Sequence, residues 1–115
     1  MECYKDVPAV LEDLYSSGYQ LAIASRTGEV KGANQLIQLF GWENYFAFKE
    51  IYPGCKIEHF NKLRLKSSID FKDMIFFDDE NRNITDVRSL DVTCIWVENG
   101  ITKNLVEQGL KRFYG

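Results

Sequence analysis

Met74-Ile75-Phe76-Phe77-Asp78-Asp79-Glu80-Asn81 is the stretch on which the fold turns. Four consecutive apolar residues followed at once by acidic ones read as a short strand buried on both faces, which is how strands of parallel sheets look in sequence. The strand ends in two adjacent carboxylates, which repel one another unless a cation or a hydrogen-bond donor compensates.

Working outward, strand-like and helical segments alternate. Upstream, Ile57, Phe60 and Leu63 recur at helical spacing, and before them Phe46 to Tyr52 reads as a strand ended by Pro53-Gly54. Val30, Ala33, Ile37 and Phe40 predict a helix stopped by Gly41, and Tyr19 to Ala24 a buried strand. Val7, Val10, Leu11 and Leu14 predict a first helix with Asp6 as its cap, Pro8 in its first turn and Gly18 as its end. Downstream come a short helix over Thr85 to Leu90, a strand over Val92 to Val97 and a last helix carrying Ile101, Leu105, Leu110 and Phe113. Each parallel crossover needs about a dozen residues, usually a helix, so the alternation predicts an α/β fold with a largely parallel sheet.

The 115 residues lie below the roughly 150 used as a prior for one domain, and no repeat or linker divides them, so a single domain over 1–115 is expected. A 45% hydrophobic share with 27% charged residues suits a packed core and excludes a disordered or collagen-like chain. The net charge of −3 supplies no general pull toward nucleic acid or anionic lipid, and neither partner is expected. Cys3, Cys55 and Cys94 form no C-x-x-C pair, so neither a disulfide framework nor a zinc site is implied and a reducing compartment fits. With no long apolar run and no signal-peptide pattern, the expected location is the cytoplasm or nucleus, and the Asn83-Ile84-Thr85 sequon carries no weight.

Ligands of open α/β sheets bind beyond the carboxyl ends of the strands. There the chain places Ser25-Arg26-Thr27, Pro53-Gly54-Cys55-Lys56 and Asp78-Asp79. A hydroxyl, an ammonium and paired carboxylates on one rim are what a phosphate and a divalent metal require. The carboxylates suit a hard cation such as Mg²⁺, the hydroxyl the phosphoryl oxygens, and Lys56 their charge.

Each residue also has a plainer reading. Ser25 or Thr27 caps the following helix, Lys56 is a solvated first-turn lysine, or Asp78-Asp79 cap the next helix. A helix N-terminus is a poor place for a cation, which sets Lys56 apart. Arg26 either binds an anionic substrate or sits in solvent. His59, the sole histidine, has no Ser or Cys nucleophile assigned to it. Lys62, Arg64 and Lys66 read as a solvated helix surface, and Cys55 and Cys94 as packing residues as readily as reactive ones.

The strings Ala24-Ser25-Arg26-Thr27, Gly32-Ala33-Asn34-Gln35-Leu36, Glu50-Ile51-Tyr52-Pro53-Gly54-Cys55-Lys56 and Phe76-Phe77-Asp78-Asp79-Glu80-Asn81-Arg82-Asn83 closely resemble the magnesium-dependent phosphatase branch of the haloacid dehalogenase superfamily. The resemblance runs from about Tyr4 to Tyr114. It implies a Rossmann-like phosphatase with no large cap domain, an aspartyl-phosphate intermediate, and phosphotyrosine or protein-bound sugar phosphates as substrates. By this resemblance Ser25 is the phosphate-binding hydroxyl, Arg26 a substrate-binding neighbour and Lys56 the phosphate-neutralising lysine. Asp79 is the Mg²⁺ ligand, with Asp78 a second ligand or a hydrogen-bonding support.

One departure matters. The family opens with a strand ending in D-x-D-x-T, whose first Asp is the nucleophile and whose second is the acid and base. The eight aspartates here, Asp6, Asp13, Asp70, Asp73, Asp78, Asp79, Asp86 and Asp91, include no two separated by one residue. Losing such a nucleophile costs about 10⁴ to 10⁶ in rate, so weak or absent turnover is expected. The family also places that strand centrally, between those read here at Tyr19 to Ala24 and Met74 to Phe77, so unpaired edges and self-association through them are expected. The alternative is a noncatalytic pseudophosphatase or interaction module that keeps phosphate and Mg²⁺ binding. A receiver domain uses similar groups but begins with its acidic pair, whereas the order here is Ser, Lys, then Asp-Asp.

Overall fold

The computed structural model describes residues 6–26, 28, 30–39, 41–98 and 100–115. Helices and strands alternate as the sequence predicts: α1 Val7–Ser16, β1 Leu21–Ser25, α2 Val30–Leu39, β2 Phe46–Ile51, α3 Lys56–Ser67, β3 Ile75–Asp78, α4 Asn81–Arg88, β4 Thr93–Trp96 and α5 Lys103–Tyr114. A 3₁₀ turn over Phe71–Asp73, not foreseen in the sequence, leads into β3. Ile37 on α2 is buried. The side chains of Val30 and Ala33, and all of Thr27, Phe40 and Cys3, lie outside the described residues.

All described strand pairing is parallel, as expected, but it forms two separate pairs, β1 with β2 and β3 with β4. Among the described residues β1 and β3 therefore each keep one edge without a strand partner.

The core lies where β3 and β4 meet the helices. Phe76 and Cys94 are register partners, and α3 covers them with Phe60 and Leu63 and α4 with Ile84 and Val87. The Phe60 and Phe76 rings meet edge to face with centroids 4.9 Å apart, a favoured geometry for aromatic quadrupoles. Side chains alternate along a strand, so Phe77 and Ile95 face the opposite way, toward α5. There α5 comes in close at Gly109: a Cβ on it would stand 2.9 Å from the Phe77 ring and 3.1 Å from Ile95.

The end of β3, the start of α4 and the role of Asp6 differ from the sequence reading, each through a polar group. The last strand residue of β3 is Asp78, not Phe77, because its carbonyl accepts the Val97 N–H at 2.8 Å and extends the ladder. The helix read from Thr85 begins at Asn81, since Asn83 in its first turn is buried and hydrogen-bonded rather than part of a loop. Asp6 makes no cap bond to α1; its carboxylate instead accepts the Lys103 N–H at 3.1 Å. Helix N-termini leave N–H groups unpaired, and α5 satisfies two of them with Asp6 and with Thr102, whose hydroxyl accepts from Leu105. Among the described residues no helix is long and apolar enough to cross a membrane.

Candidate functional site

β1 and β3 end on the same rim, and a cleft of about 780 Å³ opens there, lined by Ser25, Arg26, Lys56, Asp78, Asp79 and Asn83 among others. Five of those six are the residues singled out in the sequence. The fold brings them together from three separate strand ends.

Lys56 is the first residue of α3, yet only 4% exposed, which overturns the reading of a solvated lysine. Its ammonium donates to the Ala24 carbonyl at 2.5 Å and to the Asp78 carboxylate at 3.1 Å, and it stands 5.2 Å from the centre of the Phe76 ring. A cation removed from water at the unfavourable end of a helix must be held by such partners. Asp78 supplies the charge, and the carbonyl belongs to the β1 strand.

Asp78 is fully engaged. One carboxylate oxygen accepts the Glu80 N–H at 2.8 Å, and the other accepts from Lys56 and, at 3.2 Å, from the Asn83 amide. Burial pushes the carboxyl up, but the Glu80 N–H, the Lys56 charge and the Lys56 and Asn83 hydrogen bonds outweigh it and hold the group below the ordinary carboxylate range. Asp78 thus supports the turn into α4 without being that helix's cap, since Glu80 occupies the capping position.

Asp79 is its complement. It is exposed, and among the described residues its carboxylate has no hydrogen bond or ion pair; only its backbone carbonyl is engaged, by the Trp96 indole N–H at 3.2 Å. A free carboxylate beside an engaged one fits a hard cation held mostly by water. Among the described residues no three His, Cys, Asp or Glu side chains form a ready cage. That donor set suits Mg²⁺, which keeps several waters and takes one or two carboxylates.

Ser25 is the last residue of β1 and α2 does not start until Val30, so it is placed on the rim and not at a helix cap. Its carbonyl accepts the Tyr52 N–H at 3.0 Å. His59 stands directly beneath, with no exposed surface. One ring nitrogen lies 3.0 Å from the Cys55 carbonyl and the other 2.8 Å from those of both Ser25 and Tyr52. The ring also stacks on Tyr52, with centroids 4.3 Å apart. The histidine is thus an organiser of the site's floor.

Arg26 spans three loops. Its Nε donates to the Gly54 carbonyl at 2.8 Å, and one terminal nitrogen reaches Glu80 at 3.4 Å and Asn83 at 3.3 Å. Gly54 holds φ at +130°, a conformation that other residues rarely adopt, so glycine is required to aim that carbonyl.

Glu80 and Glu98 also line the cleft, and Lys66, Arg64, Cys55 and Cys94 are not among its lining residues. Of the basic residues read as solvated, Lys66 pairs with the buried Glu50 at 2.8 Å, and Arg64 pairs with Asp70 at 3.7 Å. Cys55 is exposed and its thiol donates to Asp86 at 3.4 Å, while burial pushes the Cys94 thiol up.

Glu80, Asn83 and His59 were not assigned site roles from the sequence. The signal for Asn83 was its place three residues after a helix-capping position, from which a side chain reaches back over the helix start. For His59 the signal was absent, because its partners are backbone carbonyls.

Comparisons with known proteins place the chain in a family. The chain is 54% identical over 110 residues to human Magnesium-dependent phosphatase 1, which spans 96% of this chain and 62% of that protein. It is 34% identical over 99 residues to a HAD-like hydrolase superfamily protein of Schizosaccharomyces pombe, spanning 78% of this chain and 57% of the relative. The chain therefore spans about three fifths of the length of these curated relatives. A crystal structure from Clostridium difficile, of a protein assigned as a phosphatase, superposes with a TM-score of 0.73 over 89% of this chain and 50% of its own; at 20% identity that likeness shows the fold. The family model described as Acid Phosphatase matches residues 1–114, and the chain belongs to that family.

Proposed function

We propose that these 115 residues form the phosphate- and cation-binding part of a magnesium-dependent phosphomonoesterase of the haloacid dehalogenase type, acting on phosphorylated protein, phosphotyrosine included, or on protein-bound sugar phosphates. One observation carries the reading: the buried Lys56–Asp78 pair lies beside the unpartnered Asp79 carboxylate, at the ends of two strands. Asp79 would hold Mg²⁺, which when bound supplies positive charge for the phosphoryl oxygens, and Asp78 steadies Lys56. Lys56 and Ser25 hold the phosphoryl group and Arg26 the substrate around it. Among the described residues the rim is open, which suits a phosphate carried on a macromolecule.

No D-x-D pair stands in the chain, so covalent turnover has no nucleophile here, and the chain binds its ligands far better than it hydrolyses them. The test is hydrolysis of an aryl phosphate in Mg²⁺ by the purified chain, with Asp79→Ala as control. Trace activity alongside measurable Mg²⁺ and phosphate binding is the expected result. Brisk turnover that vanishes in the variant would sink the inactive-chain reading.

A second reading, a noncatalytic interaction module, is favoured by the edges that β1 and β3 leave without a strand partner among the described residues, which are templates for strand addition. Sedimentation of the chain across a concentration series separates a monomer from a self-associating species.

A further inference from the structure

The contacts of Arg26 are unequal. Its Nε bond to Gly54 is short, at 2.8 Å, and fixes the side chain on the rim. Its bonds to Glu80 and Asn83, at 3.4 and 3.3 Å, lie near the outer limit of hydrogen-bond geometry, and the Arg26 and Glu80 side chains are 29% and 56% exposed. Glu80 has a second tie, accepting from the Asn83 amide at 3.0 Å, and that amide also donates to Asp78. A line of alternating groups thus runs along the rim: Arg26, Glu80, Asn83, Asp78, Lys56. Its two cations are where a phosphate is expected to bind, and Glu80 is the member whose carboxylate competes with an incoming anion for one of them.

We propose that Glu80 is a displaceable counter-ion of Arg26 and thereby sets how tightly the site holds an incoming phosphomonoester. An arriving phosphomonoester takes over the outer face of the guanidinium, while the Gly54 carbonyl keeps the side chain in place. Glu80 then moves toward solvent and the Asn83 amide donates to Asp78 alone. An exposed ion pair is weak, so the exchange is cheap for a dianion, whose charge exceeds that of the carboxylate it replaces. A monoanion offers Arg26 no more charge than Glu80 already does. The carboxylate therefore sets a charge threshold for engaging Arg26: a phosphomonoester dianion takes the guanidinium over, and a singly charged ligand such as a sulfate ester gains less from it.

This inference rests on the phosphate-site reading above, and calorimetry on the full chain in Mg²⁺ at pH 8 separates the two. Phenyl phosphate and phenyl sulfate are the probes, and circular dichroism checks that each variant is folded. Glu80→Gln is expected to tighten phenyl phosphate by about 2- to 5-fold, the range an exposed ion pair supports, and phenyl sulfate by no more than that, because the carboxylate removed also repels the dianion more strongly. In an Arg26→Lys background the same substitution is expected to have less than a 2-fold effect, because the lysine lacks both the Nε that Gly54 fixes and the terminal nitrogen that reaches Glu80. Equal tightening in both backgrounds would mean that Glu80 acts only through its general negative field, and that sinks the exchange. Unchanged or weaker binding in Glu80→Gln sinks it too. Phenyl phosphate binding that Lys56→Ala abolishes, combined with either result, leaves the phosphate site standing. No binding by the parent chain overturns the site and the exchange together.

Discussion

Lys56 and Asp78 show how much one buried pair decides. Removing one member leaves the other as an uncompensated charge in the cleft, a loss of about 3–5 kcal/mol in buried pairs. Lys56→Ala is accordingly expected to lower the free energy of unfolding, read from urea denaturation, by that order and to abolish phosphate binding, while Asp79→Ala, at an exposed position, removes Mg²⁺ binding with little change in stability. The pair also sets the acid limit. The folded carboxyl of Asp78 lies below its ordinary 3.8, so its contribution to stability is complete at pH well above that value. It is lost as pH falls through 3.8 and then through the lower folded value. Acid unfolding followed by circular dichroism should shift toward neutral pH in Lys56→Met. Tyr52 sets an alkaline limit: burial, with the Glu50 hydrogen bond and charge, pushes its hydroxyl up to about 12. The neutral form is the one the fold holds, so its contribution is intact below pH 10 and lost between 10 and 12. Difference absorbance of the tyrosines against pH, wild type against Tyr52→Phe, reads this directly.

Among the elements, α5 is the most exacting in its fit. Gly109 lets it approach β3 and β4 so closely that any larger side chain meets Phe77 and Ile95. Gly109→Leu should therefore cost about 1–3 kcal/mol by overpacking, despite leucine's better helix propensity, and thermal unfolding checks it. The elements themselves were readable because apolar period and turn residues agree: Gly18 and Gly41 end the helices they were expected to end, and Phe76-Phe77 is the strand it looks like. The start of α4 was not. Asn81, Arg82 and Asn83 have the composition of a loop, and only the contact of Asn83 with Asp78, made in three dimensions, turns them into a helical turn. Asp6 misled for the same reason: its local position suggested a cap for α1, but α5, far along the chain, offered the N–H that it takes. Site residues at strand ends were legible because topology alone puts them on one rim. Residues that act on backbone groups, as His59 does, left no trace in the pattern.

At the scale of the whole molecule, two parallel strand pairs stand side by side, with Lys56 reaching from one to the other through Ala24 and Asp78. A ligand that engages Lys56 and Asp79 binds the folded form alone, so it stabilises the whole chain by mass action. Phosphate with Mg²⁺ is expected to raise the melting temperature of the wild type and to leave that of Asp79→Ala unchanged, as measured by scanning fluorimetry.

The ring of His59 touches carbonyls from Ser25, Tyr52 and Cys55, which belong to the end of one strand, the exit of another and the entry to a helix. The β1–β2 ladder sets Ser25 against Ile51, and the His59 ring ties that ladder end to the helix on which it sits. The rim is thereby coupled to α3. Hydrogen exchange is expected to show the Tyr52 amide, which donates to the Ser25 carbonyl, sharing its opening rate with the interior of α3 and not with the loops around it.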